Sequence, residues 1–364
     1  MNNFNIVKKI KSSPVTLPIL CGTVIGVFGV LITHLGNPNI GFCISCSMEN
    51  MAGFLGLHGN IRMQYMRPEV VGFVLGAFFL ALRSKEFKSK GGSAALIYFI
   101  SGIFLIIGAA VFIGCPIKLV FRLASGDMTA IAGVFGLIGG ILFGVAFLRN
   151  GHYLGESHPS GKLNGYIVPV FMMSLLALLF TKPNFVNLSV KGSGASFAPP
   201  LIALAFGLII GGLSQRSRFC VTGAVRNFVV ARDFTLGWGL VFMFVSAMIT
   251  SLALGMYQYG FIGQPSSNPD YTWSFLGMAL VGFGSVVIGG CPYRQLIKAG
   301  EGNIDSAAAV FGMLIGGAIV VNWGLAGKAA GTPFNGKIAV LLGFVFFLIV
   351  GLASRVRARN FQTE

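Results

Sequence analysis

Four of the six cysteines stand at positions where a thiol has chemistry available to it. Gly114-Cys115-Pro116 recurs as Gly290-Cys291-Pro292. Proline is favoured at the first position of a helix, where its missing N–H costs nothing. Cys115 and Cys291 are therefore expected as the N-caps of two helices. Such ends carry unpaired N–H groups and positive dipole character, and they attract anions. A second pair is Phe42-Cys43 and Phe219-Cys220. Asn50 and Asn227 follow these cysteines by seven residues, about two helical turns, so each Cys–Asn pair shares a face. Cys46 makes a Cys-x-x-Cys with Cys43, whereas Gly223 holds its place in the second pair. Lys118 and Arg294 each follow an N-cap cysteine by three residues and are placed to guide an anion toward it. Cys21 has no repeat partner and reads as a small core filler.

Several other chemistries are excluded. Structural zinc needs four ligands in paired spacing. Only one Cys-x-x-Cys exists, and His34 and His58 do not complete a pattern, so no metal site is expected. Phosphate-loop and dinucleotide fingerprints are absent, and no cofactor is expected. Glu49, Arg122, Asp127, Arg218, Arg226, Arg232, Asp233, Lys298, Glu301 and Asp305 lie near the cysteine segments. Most read as anchors of helix ends, with Asp233 paired to an arginine and Asp305 capping a span.

The elements that hold these residues lie in a bilayer. The 364 residues are 55% hydrophobic and only 10% charged. A soluble domain has about 25% charged residues. Ten segments have the roughly 20 apolar residues that cross a bilayer: 14–35, 66–82, 94–113, 128–148, 165–181, 198–214, 235–255, 273–290, 304–323 and 337–353. With both termini cytoplasmic, about two thirds of the 26 Lys and Arg fall inside, as the positive-inside rule requires. The net charge of +16 thus reports topology, and no nucleic-acid partner is implied. Glycines four apart, such as Gly22/Gly26, Gly72/Gly76, Gly207/Gly211 and Gly312/Gly316, read as close helix contacts.

The chain also contains itself twice. Gly126, Ala132 and Val134-Phe135-Gly136 recur at the same offset of 176 as the Gly-Cys-Pro element. The copies are separated by five spans, an odd number, so the halves have opposite orientation. Such inverted repeats place a substrate path at their interface. Four segments, near 41–57, 115–124, 217–232 and 291–300, are too short or too charged to cross and too apolar for loops. They are expected to re-enter the membrane within a protein or watery lining. The expected fold is an all-α membrane protein: about ten transmembrane helices in two inverted repeats, with four re-entrant helices meeting near the midplane. The halves are 1–164 and 165–364, forming one membrane domain.

At these residues the chain resembles the YeeE/YedE family of membrane proteins. The resemblance rests on Gly41-Phe42-Cys43-Ile44-Ser45-Cys46, Gly114-Cys115-Pro116, Arg218-Phe219-Cys220 and Gly289-Gly290-Cys291-Pro292. It implies a bacterial inner-membrane protein that takes up thiosulfate, with cysteines along a central path. Cys46, Glu49-Asn50 and Leu55-Gly56-Leu57-His58 are more like the subgroup linked to selenium metabolism. The leading expectation is a non-enzymatic transporter of a small sulfur- or selenium-containing anion. Cys43, Cys115, Cys220 and Cys291 line its path beside Cys46, with Asn50 and Asn227 as amide donors. Thiols are weak donors, which lets a soft anion bind and leave. A cytoplasmic sulfur- or selenium-carrier protein would be its partner. Two alternatives stand: a membrane thiol oxidoreductase using Cys43 and Cys46, and a passive anion channel.

Overall fold

The computed structural model describes residues 14–38, 41–92, 94–151, 154, 157–264 and 267–360, with side chains described as far as 354. Lys8, Lys9 and Lys11, counted above as cytoplasmic, lie outside the described residues. The protein is an all-α membrane protein. Fourteen α-helices are described: α1 (Thr16–His34), α2 (Ile44–Phe54), α3 (Pro68–Arg83), α4 (Ala95–Phe112), α5 (Pro116–Ala124), α6 (Ile131–Arg149), α7 (Ile167–Thr181), α8 (Pro200–Ser217), α9 (Val221–Ala231), α10 (Thr235–Ala253), α11 (Tyr271–Val287), α12 (Pro292–Gly300), α13 (Ile304–Asn322) and α14 (Phe334–Asn360). A two-stranded ladder pairs Lys90–Gly91 with His158–Pro159.

Among the described residues, nine stretches are long and apolar enough to cross a membrane. The expected span at 66–82 is missing from them. It forms α3, a helix of 16 residues, about 24 Å long against a core of about 30 Å. Twelve of the 16 residues of α3 are buried against other helices, so protein packing rather than lipid sets most of its surroundings. Phe79 and Leu82 near the end of α3 are exposed, and larger exposed apolar faces lie on other helices: Phe135 and Phe143 on α6, Trp238 and Ile249 on α10, and Leu342 and Ile349 on α14. Such side chains suit lipid tails, in which apolar exposure carries no cost.

The first seven helices run long, short, long, long, short, long, long, and the next seven repeat that order. Their packing partners exchange. The pair α1 with α10 is matched by α8 with α3, and α4 with α13 by α11 with α6. The short helices follow the same exchange: α2 packs on α13 as α9 packs on α6, and α12 packs on α3 as α5 packs on α10.

Small residues make these contacts. A Cβ on Gly22 would overlap the carbonyl oxygen of Gly239, and one on Gly312 the carbonyl oxygen of Phe99. Gly72 faces Gly207 across α3 and α8. The glycines spaced by four are thus the seams between the halves, as the sequence suggests.

Candidate functional site

The four short helices begin at the four repeated cysteines. Cys43, Cys115, Cys220 and Cys291 are the N-caps of α2, α5, α9 and α12. Helices of 9 to 11 residues reach only about 14–17 Å, half of a bilayer core. Pro116 and Pro292 occupy the first helical positions of α5 and α12, as their motif implies. The chain turns sharply just before each Gly-Cys-Pro. Ile113 adopts φ of 63° and its repeat counterpart Gly289 a φ of 72°. Glycine adopts this left-handed conformation freely, whereas a β-branched residue is strained there.

The structure joins the thiols in two sets. In the first, Cys43 Sγ lies 2.8 Å from Cys46 Sγ and accepts the backbone N–H of Cys46 at 3.4 Å. The Ile44 N–H donates to Cys115 Sγ at 3.2 Å. In the second, Cys220 Sγ lies 3.6 Å from Cys291 Sγ and accepts the N–H of Gly223 at 3.3 Å. Thr222 Oγ1 is 3.2 Å from the same sulfur. Cys115 and Cys291 are N-caps, as the sequence leads one to expect. Cys115 and Cys291 cap their helices by backbone position only, without a side-chain cap bond. The side-chain caps belong to Cys43 and Cys220, each of which accepts the N–H three residues on. The two sets adjoin, since α2 touches α12 and α5 touches α9.

Each set opens into a cavity. Cys43, Cys46 and Asn50 line a narrow one of about 20 Å³, with Arg67 and Glu69 at its wall. Cys220, Thr222 and Asn227 line a larger one of about 260 Å³. Arg218, Arg226, Arg294 and Lys298 also line it, so its wall is strongly cationic. A neighbouring cavity of about 320 Å³ shares Arg218, Arg294 and Lys298 and adds Glu86 and Glu301. Asn50 and Asn227 thus share cavities with their partner cysteines. Their amides differ: Asn50 Nδ2 donates to the Cys46 carbonyl at 2.7 Å, while Asn227 Oδ1 accepts from Arg226 at 3.2 Å.

Lys118 and Arg294, equivalent in the repeat, do different things. Lys118 is wholly buried and its Nζ lies 3.9 Å from Cys46 Sγ. Arg294 pairs with Glu301 at 3.2 Å and donates to the Ser214 carbonyl at 3.4 Å. Glu301 also holds Arg218 at 3.1 Å, and Glu86 holds Arg216 and Arg218. The two carboxylates therefore compete with any anion for the arginines of these cavities.

Other expected roles shift. Asp305 does not cap α13. Asn303 does, accepting the Ser306 N–H at 2.7 Å, and Asp305 accepts the N–H of Gly92. Asp233 accepts the Thr235 N–H at 2.9 Å rather than pairing with an arginine. Cys21 is buried 3.3 Å from Ser214 Oγ, which in turn bonds the hydroxyl of Tyr293. Arg122 and Asp127 form a buried pair at 2.7 Å, and Arg122 Nη1 donates to the Phe112 carbonyl at the end of α4. In the second half the equivalent carbonyl, Ile288, is served by Gln295 Nε2 at 3.1 Å. Different side chains thus satisfy one orphan helix-end acceptor in both copies.

Sequence reasoning passes over Arg67, Asn37 and Glu69 at the first cavity. Arg67 is buried and donates to the Ser193 and Ser196 carbonyls, tying a distant loop to the mouth. Its one local signal is the proline after it, which places it at a helix start. Among the described residues, no cluster of three or more His, Cys, Asp or Glu could hold a metal ion.

Comparison with known proteins points one way. Residues 216–356 match the family model described as sulphur transport. The thiosulfate transporter TsuA of Escherichia coli (strain K12) is 27% identical over 125 residues, 34% of this chain. The match spans 35% of that relative's length. Both support the resemblance to the YeeE/YedE family carried by the cysteine motifs.

Proposed function

We propose, for a chain whose second half carries a sulphur-transport family match, that it is an inner-membrane transporter of a small sulfur-containing oxyanion. The anion moves between two inverted halves, along Cys43 and Cys115 on one side and Cys220 and Cys291 on the other. The observation that carries this reading is the meeting of four half-length helices, each begun by a cysteine, in two adjoining thiol sets. Half-length helices with their N-termini turned inward give partial positive charge without a full charge at the midplane. Thiols and backbone N–H groups then replace water around the anion, one weak site after another. Asn227 and the cations around Cys220 receive or release the anion at the wider mouth. With the N-terminus cytoplasmic, that mouth faces the cytoplasm and the narrow one faces out. A soluble sulfur-carrier protein takes the anion there.

The test is uptake of labelled thiosulfate, with labelled selenite in parallel, in cells lacking their own importers. Cys291→Ala is expected to abolish thiosulfate uptake while leaving folded protein in the membrane. Normal uptake by that variant overturns the reading. Uptake of selenium alone assigns the path to a selenium compound and gives the selenium-linked motif its role. Downhill flux without accumulation, in vesicles lacking the carrier, makes the protein a channel.

A further inference from the structure

The Cys43–Cys46 pair has no counterpart in the second half, where Gly223 stands in place of Cys46. A relay of single thiols does not need it, so its geometry asks for a separate account. Both cysteines are free. Their sulfurs are 2.8 Å apart at the N-terminus of an 11-residue helix. The first sulfur accepts a helix N–H, and Lys118 Nζ stands 3.9 Å from the second. A helix N-terminus and an adjacent lysine are the surroundings of reactive thiols, and Cys-x-x-Cys is the spacing of exchangeable disulfides. Both residues also line the narrow cavity of about 20 Å³. That volume admits about one water-sized molecule, so the smallest hydroperoxide enters without displacing the wall, and larger reagents enter only as the wall moves.

We infer that Cys43 and Cys46 form a peroxide-sensitive dithiol whose oxidation to a disulfide closes the anion path. The chemical class of its reactant is a hydroperoxide of about water size, namely hydrogen peroxide. Cys43 sulfur attacks one peroxide oxygen and the O–O bond breaks. The other oxygen leaves as hydroxide and takes the thiol proton, forming water and Cys43 sulfenic acid. Cys46 sulfur then attacks Cys43 sulfur. The S–O bond breaks, and the hydroxide with the Cys46 proton leaves as a second water. Two thiols are oxidised and one peroxide is reduced. A dithiol reductant reverses the bond. The sulfurs close from 2.8 Å to about 2.05 Å when the bond forms. Closure of the path rests on the transport reading above: the disulfide removes the S–H donors of Cys43 and Cys46 and the sulfur beside Lys118. The redox site itself does not rest on it.

The experiment uses the full chain in membrane vesicles, treated with low hydrogen peroxide, alkylated, and mapped by peptide mass spectrometry. The expected result is a Cys43–Cys46 disulfide that dithiothreitol removes, formed before any Cys220–Cys291 link. Alkylation of both Cys43 and Cys46 after peroxide, in folded protein, overturns the site. Uptake is measured on the same vesicles. Wild type is expected to fall to background after peroxide and to recover with dithiothreitol. Cys46→Ser and Cys46→Ala, whatever uptake they retain, are expected to lose nothing further. A disulfide that leaves wild-type uptake unchanged overturns the closure. A disulfide in a chain that moves no anion even when reduced overturns the transport reading and leaves the dithiol site standing.

Discussion

Lys118 and Arg294 share a repeat position but not a partner, and the difference predicts different phenotypes. Lys118 Nζ is turned to the thiol set of α2 and α5, within a fully buried side chain. A buried cation in a membrane is retained where it is used. Lys118→Met keeps the volume and removes the charge. It is expected to raise the KM for anion uptake more than it lowers folded yield, as read from uptake at several concentrations against membrane protein level. Arg294 is held by Glu301, which also grips Arg218. Glu301→Gln weakens that competition and is expected to tighten anion binding at the wider mouth, measured by anion protection against thermal unfolding. A loss of protection assigns Glu301 to holding the arginines in place.

At the scale of elements, the short helices depend on close seams and on satisfied helix ends. Gly312 sits where α13 crosses α4, and a side chain there meets the Phe99 backbone. Backbone cannot move aside as a flexible side chain can. Gly312→Leu is therefore expected to abolish folded protein, seen as loss of a monodisperse peak in detergent. Arg122 joins α5 to Asp127 and to the end of α4 while almost wholly buried. Removing one partner leaves a buried charge alone, a loss of about 3–5 kcal/mol in typical cases. Arg122→Ala is expected to lower thermal stability markedly. Arg122→Ala with Asp127→Ala is expected to be less damaged than the sum of the single changes, which a double-mutant cycle measures.

For the whole molecule, exchange of packing partners between the two sets of seven helices builds one body rather than two. We propose that the two sets, α1–α7 and α8–α14, are halves of a single unit. Co-expressed as separate chains, they are expected to be unstable apart and to restore uptake together. The proposed orientation is checked independently by a reporter fused after residue 364, expected to be active on the cytoplasmic side.

Hydropathy runs of some 20 residues identified the long helices, because lipid demands apolar length whatever the partners. Repetition of Gly-Cys-Pro and Phe-Cys located all four short-helix starts, because a proline and a small polar cap act locally. The weak spot was α3, with twelve of its 16 residues buried by protein, so bilayer thickness does not govern it. Which thiol meets which was not legible. Ile44 reaches Cys115 across 71 residues, and Cys220 reaches Cys291 across the same separation. Such contacts follow from how α2 seats on α13 and α9 on α6. Neither the cap bond at Cys43 nor the buried setting of Arg67 leaves a periodic trace in the sequence. Composition and local motifs determined the solvent, the spans and the cysteine-led helix starts. The tertiary structure alone decided the thiol pairings, the two unequal cavities and the different contacts of Lys118 and Arg294, because packing between distant segments sets those distances.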